Sequence, residues 1–482
     1  MSQELDRLAA ATLFPSFPGP RAPDWVLRWI DRGLGGVVLF SWNVADRRQL
    51  AELCASLRGV RRELLIGIDE EGGDVTRLEA EPGSSYPGNL ALGTVDDIEL
   101  TERVAGAIAD DLAGAGVNYD LAPVADVTTN PRNPVIGVRS FGSDPQLAAR
   151  HVAAFVRGLQ SRGVASCAKH FPGHGDSELD SHLELPFVHG DLDAALVPFR
   201  AAIEAGARSI MTAHICVPAL DDVPATLSGK ILHGLLREEL GYQGMVITDA
   251  LEMRAISAGV GVEEGAVRAL VAGADALCIG HDLHEPAVES LQRTIVEAAT
   301  SGRLSLERLA EAAGRVQAVA AWAADAAPRA AGENEGLGLD VARRAVHTEG
   351  LVTLSRPPFV VELLPTPSIA VGETGHSLAA ILGARGAALQ VMRLTEEPLA
   401  ISTVLESARG RQLVVVLRDA HRFAWIQRVA EALVSAEPET VLVETGLPLW
   451  KPEAGGYIAS QGGARVNLEA AAELLQQTVE RT

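Results

Sequence analysis

Along the first two-thirds of the chain, apolar positions gather in short blocks separated by longer amphipathic stretches. Nearly uncharged runs stand at 36–40, 64–69, 117–123, 164–169, 209–214, 245–249 and 274–280. Runs of this length with few internal charges are what parallel strands covered on both faces require. The stretches at 145–162, 192–205, 228–240 and 261–272 instead repeat apolar residues at helical spacing. A βαβα succession of this kind predicts an α/β fold, a (β/α)8 TIM-like barrel, with a doubly wound sheet as the alternative.

The pattern changes after a helix at 306–324. Residues 325–345 are rich in Ala and Gly with scattered charge and read as a linker. Shorter apolar runs follow at 351–354, 359–364, 368–371, 389–391, 413–417 and 440–443, and a closing helix is expected at 467–479 with Asn467 as its N-cap. The expected organisation is a catalytic barrel at 1–324, a linker at 325–345 and a smaller α/β sandwich domain at 346–482.

Composition narrows the functional classes. Of 482 residues, 47% are hydrophobic and 22% charged, which excludes disorder as the dominant state. The formal net charge of −22 argues against nucleic acid and anionic membrane surfaces as partners. Four dispersed cysteines form no CxxC pair, so neither a thiolate zinc site nor a redox dithiol is expected, and Cys167 and Cys278 read as small core residues. The first 17 residues show no basic stretch followed by a long apolar run, so no signal peptide is expected and the location is read as cytoplasmic.

Ionisable residues cluster where the apolar runs end: Asp69-Glu70-Glu71, Lys169-His170, His214 and Asp249. In a barrel these ends share one mouth, where chemistry is assembled. The densest stretch, Lys169 to His182, holds three histidines, a lysine and several carboxylates between turn-forming glycines and Pro172. Asp180 and His182 stand two apart, so a carboxylate can fix the imidazole's tautomer for proton transfer near neutral pH. A metal site built from His174, Asp176, Asp180 and His182 is the rival reading, and a solvated turn is the bland one. Asp249 ends a strand and is a candidate nucleophile, base or helix N-cap. Asp69 can accept hydrogen bonds from vicinal hydroxyls, and Arg77 and Arg139 can act as fork donors in the same mouth. No GxSxG elbow, Walker loop or GxGxxG fingerprint is present, which removes the usual support for acyl, phosphoryl or hydride transfer.

Four segments, 34–40, 68–73, 169–175 and 180–182, closely resemble glycoside hydrolase family 3, in particular its bacterial β-N-acetylglucosaminidase (β-hexosaminidase) branch. The similarity runs colinearly through about residues 10–320, and its Lys-His-Phe-Pro-Gly and Asp-Ser-His elements are its most specific parts. The resemblance implies a retaining exo-acting enzyme that removes terminal N-acetylglucosamine, in peptidoglycan recycling, without a cofactor or metal. It implies Asp249 as nucleophile, His182 as acid/base with Asp180 as its partner, and Asp69, Arg77, Arg139, Lys169 and His170 as sugar-binding residues. The implied partner is a small-molecule sugar substrate, and a homo-oligomer is compatible with it. Because His182 is uncharged after giving up its proton, it would not repel an anionic acceptor, so a family 3 phosphorylase is the alternative. Asp74 departs from the family pattern, since many relatives carry a basic residue there.

Overall fold

The computed structural model describes residues 2–280, 284–326, 334–366, 368–369, 371, 375–397 and 400–477. They form two compact units. The first comprises Met1–Glu71, Ile98–Ile136 and Ser143–Asn334; the second comprises Gly72–Asp97, Gly137–Gly142 and Glu335–Thr482.

Among its described residues the first unit holds eight short parallel strands in a ring. These are β1 (Leu13–Pro15), β2 (Gly36–Leu39), β3 (Leu65–Ile68), β4 (Tyr119–Asp120), β5 (Ala165–Phe171), β6 (Ser209–Thr212), β7 (Met245–Thr248) and β8 (Leu277–Ile279). Strands β2 to β7 pair in chain order. β8 pairs with β1 and meets β7 through a bridge between Ile247 and Ala276. The remaining seam is joined where the Gly35 N–H donates to the Ala10 carbonyl at 3.1 Å. The expected TIM-like barrel is therefore the fold, and each of the seven apolar runs read as strands overlaps one, the strand of the run at 164–169 continuing to Phe171.

Burial explains the continuous apolar character of the runs. Phe14, Val38, Leu65, Tyr119, Cys167, Met211 and Ile247 share one core with Val316, Val319 and Ala320 of the helix Leu306–Asp325. A Cβ at Gly36 would stand 2.3 Å from the Phe14 ring, so only glycine lets β2 approach β1 this closely. Three helices between the strands start on side-chain caps, with Asp46, Asp144 and Asp191 accepting from Gln49, Gln146 and Ala194 N–H groups. No helix among the described residues is long and apolar enough to cross a membrane.

The second unit is a six-stranded sheet between helices. Its strands are β9 (His347–Gly350), β10 (Pro358–Leu363), β11 (Gln390–Leu394), β12 (Gln412–Leu417), β13 (Val441–Glu444) and β14 (Gly456–Ala459), in the order β9-β14-β13-β12-β10-β11, with only β9 antiparallel. Period-two alternation sets the layers. Val361, Val415 and Leu442 face one core with Ile426 and Leu433, while Val360, Val414 and Val443 face another with Leu382 and Leu475.

This division differs from a single cut at 325–345. Residues 72–97 and 137–142 group with the second unit. Part of the expected linker, Leu337–Ala345, is helical, because Leu337, Val341, Ala342 and Ala345 give it an apolar stripe to bury. The run at 351–354 is not a strand, and 368–371 lies partly outside the described residues. The closing helix starts at Arg465, so Asn467 sits inside its first turn, donating to the Ser460 carbonyl at 2.7 Å instead of capping.

At the N-terminal strand ends a fully buried carboxylate, Asp275, accepts from Arg237 at 2.6 Å, from Arg315 at 3.3 Å, from Arg308 and from the Val246 N–H at 2.9 Å. Removing it leaves three guanidinium groups without their shared counter-charge. Asp275→Ala should destabilise the fold by about 3–5 kcal/mol, read as a lowered urea midpoint. The turnover number of the folded fraction should stay unchanged, because the cluster lies at the opposite strand ends from Asp249.

Candidate active site

Three strand ends of the barrel unit carry a compact set of charges. Lys169, near the end of β5, extends its Nζ to Asp69 Oδ1 at 2.6 Å and to Glu71 Oε1 at 2.8 Å, both following β3. Lys169 and Glu71 are buried, so their charges persist only because they are paired. Asp120, on β4 beneath them, accepts the Glu70 N–H at 3.0 Å, and burial pushes its carboxyl well above the usual range.

Asp126 follows β4 and is fully buried. Its Oδ2 meets His170 Nδ1 at 2.7 Å, its Oδ1 accepts the His174 N–H at 2.6 Å, and both oxygens lie 3.3 Å from the His170 amide nitrogen. A carboxylate can only accept, so His170 carries its proton on Nδ1. The loop beyond β5 is pressed against the chain after Asp126; a Cβ at Gly175 would stand 1.8 Å from the Val127 carbonyl.

Further along this loop, Asp180 Oδ1 accepts from the His182 amide at 2.9 Å and from His182 Nδ1 at 2.7 Å. The two-residue spacing thus closes an Asx turn whose carboxylate also fixes the ring, with Nδ1 turned to Asp180 and Nε2 on the opposite side of the imidazole. Burial raises the Asp180 carboxyl, but the contacts with His182 outweigh it and hold the group below its ordinary value.

Asp249 follows β7 and is half-buried, with Oδ1 accepting the Ala250 N–H at 2.8 Å. It caps no helix, since the next one starts at Arg254. Burial raises its carboxyl, and the nearby His214, His170 and His182, with the Ala250 N–H, more than reverse this and keep it below the usual carboxylate value. His214 donates Nε2–H to the Ala250 carbonyl at 3.0 Å and meets the Thr226 hydroxyl at 2.7 Å, with burial lowering its pKa. An ionised carboxylate beside a carboxylate-held imidazole is an arrangement for nucleophilic attack and proton transfer.

Of the residues singled out from sequence, Asp69, Lys169, His170, Asp180, His182 and Asp249 all belong to the barrel unit. Arg77 and Arg139 belong to the second unit, where Arg139 is buried in the turn Gly137–Arg139 and its carbonyl accepts from Asn89 at 2.7 Å. Asp126 escaped the sequence reading; its signal was a lone acidic residue just past the run at 117–123. Of the four ligands in the loop's metal reading, His174 has both ring nitrogens taken by Ser177 and Ser181, at 3.2 and 3.0 Å, and Asp180 is bonded to His182 Nδ1 at 2.7 Å. Among the described residues no group of three or more His, Cys, Asp or Glu is placed to hold a metal ion.

Residues 25–319 match the N-terminal domain of glycosyl hydrolase family 3. The chain is 36% identical to "Beta-hexosaminidase A" of Pseudoalteromonas piscicida over an alignment of 342 residues that covers 64% of this chain but only 56% of that protein. It is 39% identical to "Beta-hexosaminidase" of Vibrio cholerae serotype O1 (strain M66-2) over 261 residues, 54% of this chain and 78% of that one. The solved β-N-acetylglucosaminidase of the same family from Paenibacillus sp. str. FPU-7 superposes with a TM-score of 0.88 at 35% identity, covering 98% of this chain and 96% of that one.

His174 supplies a pH test of this geometry. Burial lowers its pKa from 6.5 to about 4, so the unfolded chain takes up a proton that the folded chain refuses. As pH falls from 6.5 towards 4 this residue should remove up to about 1.4 kcal/mol of stability per pH unit. Urea midpoints measured across that interval should fall less steeply in His174→Gln than in the wild type.

Proposed function

The chain belongs to glycosyl hydrolase family 3 and is a glycoside hydrolase, and from that premise we propose that it is a retaining exo-β-N-acetylglucosaminidase. The observation that carries the proposal is an ionised strand-end carboxylate, Asp249, within electrostatic reach of an imidazole whose Nδ1 is bound 2.7 Å from Asp180. The similarity to β-hexosaminidases supports N-acetylglucosaminides as the substrate class.

In this reading Asp249 attacks the anomeric carbon while His182 Nε2–H protonates the departing oxygen. The sugar–oxygen bond breaks as the bond to Asp249 forms. Neutral His182 then takes a proton from water, which attacks the same carbon and releases the Asp249 carboxylate. Asp180 holds His182 in the required tautomer throughout. The pairing of Asp69 with Lys169 leaves a fixed carboxylate for sugar hydroxyls, with His170 orienting beside it. Arg77 and Arg139 complete the proposed sugar-binding set. Peptidoglycan fragments are the proposed natural substrates, and a cytoplasmic location fits soluble fragments of that kind.

Asp249→Ala should lower kcat/KM on an aryl β-N-acetylglucosaminide by about 10³-fold or more. The wild-type enzyme should release the β-anomer of N-acetylglucosamine first, as followed by proton NMR before mutarotation. Release of the α-anomer first, or full activity in Asp249→Ala, would refute the double displacement. Adding phosphate separates the phosphorylase alternative, since accumulation of a sugar 1-phosphate in place of free sugar would select it.

A further inference from the structure

The loop that carries Asp180 and His182 has little apolar anchoring. Leu179 and Leu183, the residues flanking the stretch from Asp180 to His182, face outward, as do Glu178 and Glu184. The inward-facing groups between 174 and 182 are polar: His174, Ser177 and Ser181 are all buried. Their hydrogen bonds can be directed by counting protons. The Ser177 hydroxyl has one proton, and the Leu179 carbonyl at 2.8 Å can only accept it. Ser177 Oγ must then accept from His174 Nδ1–H at 3.2 Å. That fixes the His174 tautomer, so its Nε2 lone pair accepts the Ser181 hydroxyl proton at 3.0 Å. The ring's own backbone N–H is held by Asp126, whose other oxygen holds His170.

We infer that His174, with Ser177 and Ser181, is a polar latch that positions the acid/base loop, tying Ser181, which stands between Asp180 and His182, to the Asp126 anchor of the barrel. The inference rests on the acid/base role proposed for His182. His174 does not touch the reacting atoms; it is a positioning residue. A neutral imidazole suits the task because it offers one donor and one acceptor in fixed directions. Glutamine offers the same pair, phenylalanine neither.

Four variants test the latch: Ser181→Ala, His174→Phe, His174→Gln and, as reference, His182→Ala. Each is assayed on chitobiose, whose leaving group needs a proton, and on 2,4-dinitrophenyl β-N-acetylglucosaminide, whose leaving group does not. Ser181→Ala and His174→Phe should lose about tenfold or more in kcat/KM on chitobiose and stay within about threefold on the dinitrophenyl substrate. On the latter, azide should raise turnover and yield the β-glycosyl azide, replacing the water that is no longer deprotonated. His174→Gln should recover most of the loss. Should His174→Phe fail to fold, Ser181→Ala carries the test, since it removes one hydroxyl from a loop. Equal losses on both substrates, or none on either, would overturn the latch. If His182→Ala shows the leaving-group dependence and azide rescue while Ser181→Ala and His174→Phe do not, the latch alone fails. If His182→Ala shows neither, the acid/base assignment fails and the latch with it.

Discussion

One buried ammonium group conditions the chemistry of the barrel mouth. Lys169 is in contact with two carboxylates, the partly exposed Asp69 and the buried Glu71, and is itself buried. An isolated charge at such a depth costs several kcal/mol, whereas a paired and hydrogen-bonded one is retained. Because β5 supplies the lysine and β3 leads into the carboxylates, the pairing also fixes how two strand ends stand across the mouth. In the proposed reading, a sugar hydroxyl entering there would meet groups already oriented, leaving little reorganisation for the moment of reaction.

The same accounting of charge operates at the other strand ends with a different result. Asp275 gathers three arginines and a backbone N–H. At the mouth, by contrast, Asp249 accepts the Ala250 N–H at 2.8 Å and has imidazoles nearby. A saturated carboxylate holds structure together. One bounded by neutralisable rings can become a nucleophile. Stability at the N-terminal ends and the reactivity proposed for the C-terminal ends differ in how many donors each carboxylate is given.

How much of this was legible in the sequence depended on whether a feature was local. Seven barrel strands announced themselves as apolar runs because both of their faces are covered. The eighth, Leu13–Pro15, follows the helix Ser2–Ala11 after a single residue, so its apolar positions merge with those of the helix and do not stand apart as a run. His347–Gly350 went unread for the opposite reason: it is an exposed antiparallel edge, so nothing selects apolar residues there, and the apolar run just after it drew the reading instead. The Asp180–His182 pair was readable because an Asx turn spans two residues. Asp126 was not, since its partners are more than 40 residues away in sequence. For the same reason no local signal told that residues 72–97 join the second unit.

Asp74 shows how a departure from a family pattern can be answered within one unit. The residue is buried, and in place of a basic side chain it presents a carboxylate to the Gly463 N–H at 2.8 Å and to Arg418. Arg418 follows β12, and the acids gathered there would repel one another without it. Glu444, at the end of β13, is pushed up to about 7 by burial and by the neighbouring Asp419, against the pull of three backbone N–H groups. Arg422 stands 3.8 Å from Asp419, and Arg418, bonded to Asp74 itself, is the counter-charge that makes an acidic residue tolerable at position 74. An acid at 74 and an arginine at 418 are therefore one physical feature, and a basic residue at 74 would face Arg418 as a like charge. The segment 72–97, sequentially an excursion after β3, is accordingly held by the second unit through electrostatics as well as packing, with Arg465 adding bonds to the Gly83 carbonyl and the Ser85 hydroxyl.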